Sequence, residues 1–315
     1  MDYEGRLSRV REAMRERGIA LMYLRRGANL FYLTGIKRKG PELTDNNSFG
    51  DYIHGAYITL TGGITILAPR MGASGWKKQA EGKPWITRVK ILDESERPKE
   101  ILREVIGQLN MRGKGVAIEE RAWAHTVLLF RQVMPYSKLS NASEIIEPMR
   151  MIKDSDEIEV MKKAGEITDR VYGKVVDGLE RGQSEIDVAN AIDYEFRKQG
   201  ADYNSFVTGV RFRSPNHPWI LGESPDKPRL LEDGDTISFD FGCVYDGYCS
   251  DFGRTVYVGE PPAKVQEIHD LVMTAQGTAI EQMKEGELTC EQLDIVARGI
   301  IERGGYGENF VHRLG

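Results

Sequence analysis

The stretch from Ser238 to Thr255 reads "SFDFGCVYDGYCSDFGRT" and contains the tripeptide Asp-Phe-Gly twice. The two copies begin at Asp240 and Asp251, on either side of the dipeptide Asp246-Gly247. Asp-Gly is a strong signal for a two-residue hairpin turn. Polar and apolar residues alternate over Thr236–Cys243, which predicts a strand leading into that turn.

A two-residue turn would pair Tyr245 with Tyr248 and set Gly242 opposite Asp251. Asp240 lies two residues before Gly242, so both carboxylates would share one face as diagonal neighbours, within roughly 7–8 Å at the backbone. A loop with an odd number of residues would turn one of them to the other face. The opposite face would carry the large apolar residues, which are Ile237, Phe239, Phe241, Phe252 and Val256.

Two carboxylates at this distance repel each other unless they are protonated or neutralised by a cation. Oxygen ligands alone suit hard divalent ions such as manganese or magnesium, whereas an added imidazole favours zinc, cobalt or iron. The alternative is an ordinary polar face of a hairpin exposed to water, and the spacing by itself slightly favours that alternative. A protein-kinase interpretation of Asp-Phe-Gly fails, because the chain has neither the glycine-rich loop nor His-Arg-Asp.

Composition limits the class of protein. The chain has 315 residues, 40% of them hydrophobic, and a net charge of −5, which predicts two domains and argues against general nucleic-acid binding. The N-terminal residues are polar and charged, and no segment of about 18 apolar residues occurs, so neither secretion nor a membrane span is indicated. Three cysteines without a C-x-x-C motif suit a reduced compartment, and we expect a cytoplasmic location.

Strands and helices alternate over residues 1–150, which predicts an α/β domain. The segments that carry this pattern are a helix through Leu7, Val10 and Met14, a strand at Ile19–Leu24, a hairpin over Gly55–Pro69, a strand at Trp85–Leu92, and two helices separated by the strand "GVAIE". Residues 151–315 begin a second domain with a long helix capped at Asp154 or Ser155. Further helices are predicted after Ser184, over Pro262–Lys284, and over Cys290–Arg303 behind a Thr289/Gln292 capping box.

The run "LEDGDTISFDFGCVYDGYCSDFGRTVYVGEP" resembles a motif of the pita-bread metallopeptidases, the family of prolidase, aminopeptidase P, methionine aminopeptidase and the non-metal relative creatinase. "RMIKDSDEIEVMKKAGEITD" is similar to the helix that opens the family's catalytic domain. "RLSRVREAMRERGIALMYLRRGANLFYLTG" is similar to the start of the N-terminal domain of prolidase and creatinase. The resemblance implies an α/β creatinase-like domain at 1–150 and part of an α+β pita-bread catalytic domain at 151–315.

The resemblance also implies roles for single residues. Asp240 and Asp251 match the first two metal ligands, with Asp251 bridging two ions. His217, in "SPNHPWILGES", matches the histidine that contacts substrate or stabilises the tetrahedral intermediate. The family usually has threonine two residues after the second aspartate, where this chain has Gly253.

The last residues, "FVHRLG", end where the family pattern continues into a third ligand, a histidine, and then two glutamates. His312 is therefore not expected to be a ligand. We expect the second half of the catalytic domain to be missing, from either an incomplete enzyme or a truncated relative that is inactive. With three of five ligands absent, the 315-residue form should bind metal weakly or not at all, because two carboxylates cannot fill a coordination shell.

The resemblance implies metal-dependent hydrolysis of Xaa-Pro bonds in the intact form. Two divalent ions (manganese, cobalt or zinc) would hold a hydroxide, since metal binding lowers the pKa of water. The expected partners are short proline-containing peptides, and a homodimer is possible. Two alternatives stay open, a non-catalytic relative that acts as a binding module and a creatinase-like amide or amidine hydrolase. The two aspartates argue against creatinase itself, which lacks metal ligands.

Overall fold

A computed structural model describes residues 1–38, 49–108, 115–215, 217, 228–284 and 286–314. The chain forms two compact units, each assembled from separate segments. The first unit comprises residues 1–178, 190–208 and 240–252, and the second comprises residues 179–189, 209–239 and 253–315. Because both units are discontinuous in sequence, a single domain boundary near residue 150 stays a prediction.

The first half of the chain has the following helices and strands: α1 (Tyr3–Glu16), β1 (Ile19–Leu24), α2 (Ala28–Thr34), β2 (Gly55–Thr59), β3 (Ile64–Pro69), α3 (Ala73–Ala80), β4 (Ile86–Leu92), α4 (Pro98–Gln108), β5 (Gly115–Ile118), α5 (Ala124–Val133), β6 (Leu139–Asn141) and α6 (Ser143–Met151). The second half continues with α7 (Ser155–Asp177), α8 (Glu185–Lys198), β7 (Tyr203–Asn204), β8 (Gly209–Arg213), β9 (Thr236–Phe241), β10 (Cys243–Tyr245), β11 (Tyr248–Cys249), β12 (Phe252–Tyr257), α9 (Ala263–Glu281) and α10 (Cys290–Arg303).

A six-stranded sheet in the order β4-β3-β2-β1-β5-β6 forms the centre of the first unit. Strand β2 is antiparallel to both of its neighbours, β1 and β3. The other pairs are parallel: β4 with β3, β5 with β1, and β6 with β5. All six residues of β1 are buried, so helices cover both faces of the sheet. The α/β class predicted for this region is confirmed.

The two faces of the sheet carry separate apolar cores. On one face, Met22 and Leu24 of β1 belong to a cluster with α1, α2 and α6. On the other, Leu21 and Tyr23 belong to a cluster with α4 and α5. This division follows from the alternation of side chains along a strand.

Local signals in the sequence set most of these boundaries. Leu7, Val10 and Met14 are buried on one side of α1, as predicted, and Gly18 follows the helix with a φ of +65°, a left-handed conformation that favours glycine. The hairpin predicted over Gly55–Pro69 is β2–β3.

Other elements were missed or differ from the prediction. Helices α2, α3 and α6 and strand β6 were not predicted, and each of them is short. The strand predicted over Thr236–Cys243 is interrupted, because β9 ends at Phe241 and β10 begins at Cys243, with Gly242 between them.

Strands β8, β9 and β12, most of whose residues belong to the second unit, form a three-stranded sheet in the order β12-β9-β8. Helices α9 and α10 pack through a small cluster that includes Ala275, Ala279 and Ile301. The capping box predicted for α10 is confirmed, because Thr289 and Gln292 bond to each other's backbone N–H groups. Within the described ranges, no helix is long and apolar enough to cross a membrane.

Helix α7 begins at a buried charge cluster. Asp154, one of the two capping residues that the sequence predicted, is its N-cap and forms a capping box with Glu157. The guanidinium of Arg6, which is 1% exposed, donates to Asp154 at 2.6 Å and lies 3.1 Å from the carboxylate of Glu157. It also lies over the ring of Tyr32, 4.1 Å from the ring centroid. Helix α1 is thereby joined to the start of α7 through charge-assisted hydrogen bonds.

Substitution of Arg6 by methionine should destabilise the protein strongly. The buried carboxylate of Glu157 would lose its cation, and removing one partner of a buried pair costs about 3–5 kcal/mol. The free energy of unfolding from urea titration measures this cost. Lys162→Met is the matched control, because Lys162 and Glu159 form an exposed pair on the same helix. An Arg6→Met protein as stable as the control would contradict this account.

Glu119 is a second buried acid in the first unit, at the end of β5. Glu119 is 6% exposed. Asn29 donates a hydrogen bond to its Oε1 at 3.1 Å, whereas its Oε2 has no hydrogen-bond partner among the described residues. Burial raises the pKa of the Glu119 carboxyl to about 7, and nearby Arg25 and Arg150 only partly oppose that rise.

This raised pKa predicts a pH-dependent loss of stability. Between the unfolded pKa of about 4.3 and the folded value of about 7, the folded state binds more protons, so stability falls as pH rises through this window. Glu119→Gln should remove that loss. Its free energy of unfolding relative to wild type should therefore rise by up to roughly 3 kcal/mol between pH 4.5 and 8. Urea titrations of both proteins across this range give the difference. A difference that does not change with pH would contradict the assignment.

Candidate metal centre

The candidate site lies on a hairpin whose turn the sequence predicted. Asp246 and Gly247 both have positive φ, +49° and +86°, as a two-residue type I′ turn requires. Tyr245 pairs with Tyr248, and Ser250 N donates to the carbonyl of Cys243 at 2.8 Å. The predicted register is confirmed, and the turn has an even number of residues.

Beyond the turn, the hairpin is closed by tight backbone packing at Gly242. A Cβ atom there would lie 2.1 Å from the carbonyl oxygen of Ser250 and 2.5 Å from Oγ of Ser205, so only glycine fits. Ser250 itself is fixed, since its Oγ accepts from Cys243 N at 2.9 Å and lies 2.7 Å from Oγ1 of Thr168 on α7. These contacts fix the backbone immediately before Asp251.

Aromatic rings hold the buried side of the hairpin. Phe241, which follows Asp240, and Phe252, which follows Asp251, lie with ring centroids 5.2 Å apart. Phe196 of α8 and Tyr172 of α7 contact these two rings at 5.8 and 5.1 Å. Because neighbouring side chains in extended backbone point to opposite faces, burial of both phenylalanines leaves both aspartates on the other side.

The two carboxylates are exposed and interact electrostatically. Partial burial of the Asp240 carboxyl, and then the negative charge of Asp251, raise the pKa of Asp240 above its ordinary value. The contribution from Asp251 means that the two acids are close enough to repel each other. The face on which they lie also carries the exposed residues Ser238, Cys249 and Gly253. The residues around the two carboxylates are therefore small or polar, as the sequence indicated.

This pair has the chemistry of part of a hard-cation site. Two exposed carboxylates that repel each other provide oxygen ligands and negative charge for a divalent ion. In the part of the chain that the structure describes, no group of three or more His, Cys, Asp or Glu side chains is arranged to hold a metal. The donor type therefore fits a hard divalent ion such as manganese or magnesium, but the described residues supply only part of a coordination shell.

The two histidines considered from sequence lie in the second unit, whereas Asp240 and Asp251 lie in the first. His217 is exposed and closes a tight loop, in which its N–H donates to the Ser214 carbonyl at 2.9 Å. His312 is exposed, and its Nδ1 lies 2.7 Å from the carbonyl oxygen of Arg313. The motif residues 216 and 218–224 lie outside the described residues.

Sequence reasoning missed the groups that position the carboxylates. Ser250, Thr168 and Gly242 hold the hairpin strands together, and Tyr248 donates to Glu157 of α7 at 2.8 Å. The available signal was the glycine that ends the first Asp-Phe-Gly copy and the serine that precedes the second copy. Their partners are distant in sequence, so the signal could not be interpreted without the fold.

Comparison with known proteins places the chain in a family. Residues 159–315 match the model of metallopeptidase family M24, and residues 6–152 match the creatinase/prolidase N-terminal domain. The Xaa-Pro dipeptidase of Pyrococcus furiosus is 29% identical over 98% of this chain and 80% of its own length. The uncharacterized peptidase YqhT of Bacillus subtilis is 35% identical over 64% of this chain, and that match spans 56% of YqhT.

Among solved structures, a recombinant prolidase from Thermococcus sibiricus superposes with a TM-score of 0.84 and 32% identity, covering 99% of this chain and 80% of that one. The likeness therefore extends over both parts of the chain. The protein belongs to metallopeptidase family M24, with a creatinase-like N-terminal domain and a catalytic domain of the pita-bread fold.

Proposed function

We propose that the intact protein is a metal-dependent peptidase that hydrolyses the Xaa-Pro bond of dipeptides or short peptides. The observation that carries this proposal is the pair of exposed carboxylates, Asp240 and Asp251, on one face of a hairpin with an even turn. The relatives named Xaa-Pro dipeptidase and prolidase support the choice of substrate.

Asp240 and Asp251 would hold the metal, with manganese or cobalt as the proposed ions. A divalent ion bound there would supply a water of lowered pKa and would polarise the scissile carbonyl. The carboxylates would orient that ion, and the ion would relieve the repulsion from Asp251 that, after partial burial, raises the pKa of Asp240. His217 is proposed to stabilise the oxyanion by donating a hydrogen bond.

We also propose that the 315-residue chain binds divalent ions weakly, because its described residues offer two carboxylates and no larger cluster. Calorimetric titration with Mn²⁺ is the direct check, and tight binding would contradict the proposal. The homodimer, the cytoplasmic location and the absence of nucleic-acid and membrane partners stay predictions from the sequence.

Asp240→Asn and Asp251→Asn should each abolish hydrolysis of an Xaa-Pro dipeptide. The assay uses the protein expressed from its complete open reading frame and loaded with Mn²⁺ or Co²⁺. Removal of a side chain that hydrogen-bonds to a metal ligand typically lowers metal affinity or activity about 10- to 100-fold, and loss of a direct ligand should lower activity at least as much. Asp270→Asn is the control, because Asp270 is an exposed aspartate on α9. Absence of turnover by the metal-loaded wild type would overturn the proposed activity and favour a non-catalytic binding role.

His217→Ala tests the second role separately. Removal of one oxyanion donor should lower kcat by about 10²- to 10³-fold while the metal content, measured by atomic emission, stays at the wild-type level. The aspartate variants should instead lose metal and activity together. Unchanged kcat in His217→Ala, or loss of its metal, would show that the assigned role is wrong.

A further inference from the structure

A cavity of about 370 Å³ lies in the first unit, at one end of the six-stranded sheet. Arg25 and Arg26 directly follow β1, His54 directly precedes β2 with Asp51 shortly before it, and Gly72 follows β3. Because β1 is antiparallel to β2, and β2 to β3, these chain segments meet at the same edge of the sheet. None of the residues that line the cavity is Asp240, Asp251 or His217.

Cations outnumber carboxylates among the described residues that line the cavity. The cations are Arg25, Arg26 and Lys37, and the carboxylate is Asp51. Arg25 is held in place by the carbonyl of Arg121 at 3.1 Å and by the ring of Trp123, whose centroid lies 5.1 Å from the guanidinium carbon. A fixed arginine loses little freedom when it binds a carboxylate.

Lys37 is also positioned before any ligand binds. Its backbone N–H donates to Oε1 of Gln79 at 2.7 Å, and its ammonium pairs with Asp246. The carboxylate of Asp246 thus partly neutralises the ammonium of Lys37. The remaining positive charge suits a ligand group with one negative charge rather than several.

Helix α3 begins at this wall. Its N-cap is Gly72, which has a φ of +83° and no side chain to cap the helix, and Ser74 and Gly75 of the first turn also line the cavity. The N-terminus of a helix carries partial positive charge and N–H groups suited to anions. By itself this end would attract anions only weakly.

His54 supplies the independent sign of a ligand. The residue is 8% exposed and lines the cavity, and its Nε2 has no hydrogen-bond partner among the described residues. The imidazole of His54 donates a hydrogen bond to the backbone of Phe49. Because Nε2 has no partner in the described part of the chain, Nδ1 is the donor and Nε2 carries the lone pair. Burial lowers the pKa of His54 to about 4, so Nε2 remains an acceptor at neutral pH.

We propose that this cavity binds a small zwitterion, an α-amino carboxylate, with the carboxylate at the Arg26–Lys37 wall beside α3 and the ammonium donating to Nε2 of His54. A lone acceptor and a cationic wall in one cavity call for a ligand that has both a donor and an anion. Asp51 suits an ammonium and disfavours a dianion such as phosphate. Trp76 and Trp123, which also line the cavity, offer surface to an apolar side chain.

Isothermal titration calorimetry of the complete chain in EDTA tests whether binding requires both the ammonium and the carboxylate of the ligand. The probes are L-leucine, 4-methylpentanoate, which lacks the amino group, L-leucinamide, which lacks the carboxylate, and inorganic phosphate. We expect saturable binding of L-leucine and at least tenfold weaker binding of the other three. Absence of L-leucine binding, equal affinity for 4-methylpentanoate, or preference for phosphate would each overturn the proposal.

Variants locate the binding. Arg26→Gln and His54→Leu should each weaken L-leucine binding at least tenfold, and His54→Gln, which keeps an acceptor, should recover part of the loss. Lys37→Gln repeats the test at a residue whose side chain is 41% exposed, in case the Arg26 and His54 variants do not fold. Arg88→Gln, on the exposed side of β4, is the matched control and should bind like wild type. Wild-type affinity in Arg26→Gln and Lys37→Gln would overturn the assignment.

The double variant Asp240→Asn/Asp251→Asn separates this proposal from the proposed peptidase activity. It should lose hydrolysis and keep L-leucine binding unchanged. Loss of L-leucine binding in that variant would place the ligand at the carboxylate pair and overturn the inference, whatever the outcome for hydrolysis.

Discussion

The candidate site depends on one steric constraint, the close approach of Gly242 to its neighbours on both sides. A side chain there would collide with the carbonyl oxygen of Ser250 and with Ser205. The two strands stay in register through the hydroxyl of Ser250 and the contact between the tilted rings of Phe241 and Phe252, and both depend on this close backbone approach. Because side-chain direction alternates along a strand, a slip of one residue would turn one carboxylate to the buried face.

The hairpin is in turn held by the first part of the chain. Phe31 of α2 lies where any side chain at position 247 would go, and its ring meets that of Tyr248 at 5.7 Å. Tyr248 also donates to Glu157, the same carboxylate that neutralises buried Arg6. The start of α7, the first helix and the hairpin therefore share one polar network, which explains why residues 240–252 belong to the same compact unit as the N-terminal sheet.

Two chemically opposite sites thus lie within one unit. The hairpin presents paired carboxylates on a small polar face, suited to cations, whereas the end of the six-stranded sheet gathers arginine, lysine and a helix N-terminus. The strand ends of an α/β sheet collect residues from several loops, which is the usual place for ligand sites in such folds. The cavity beside His54 fits this pattern.

The sequence by itself determined the features that depend on near neighbours. Alternation predicted the faces of β9, Asp-Gly predicted the turn and its register, and the capping residues at Asp154 and Thr289 marked where α7 and α10 begin. The family resemblance named Asp240 and Asp251 as candidate ligands. Only the tertiary structure decided that β9 breaks at Gly242, that Ser250 bonds to Thr168, and that His54 shares a cavity with Arg26. These partners are far apart in sequence, and their contacts exist because the apolar faces of the sheet and helices had to be buried together, which no local pattern encodes.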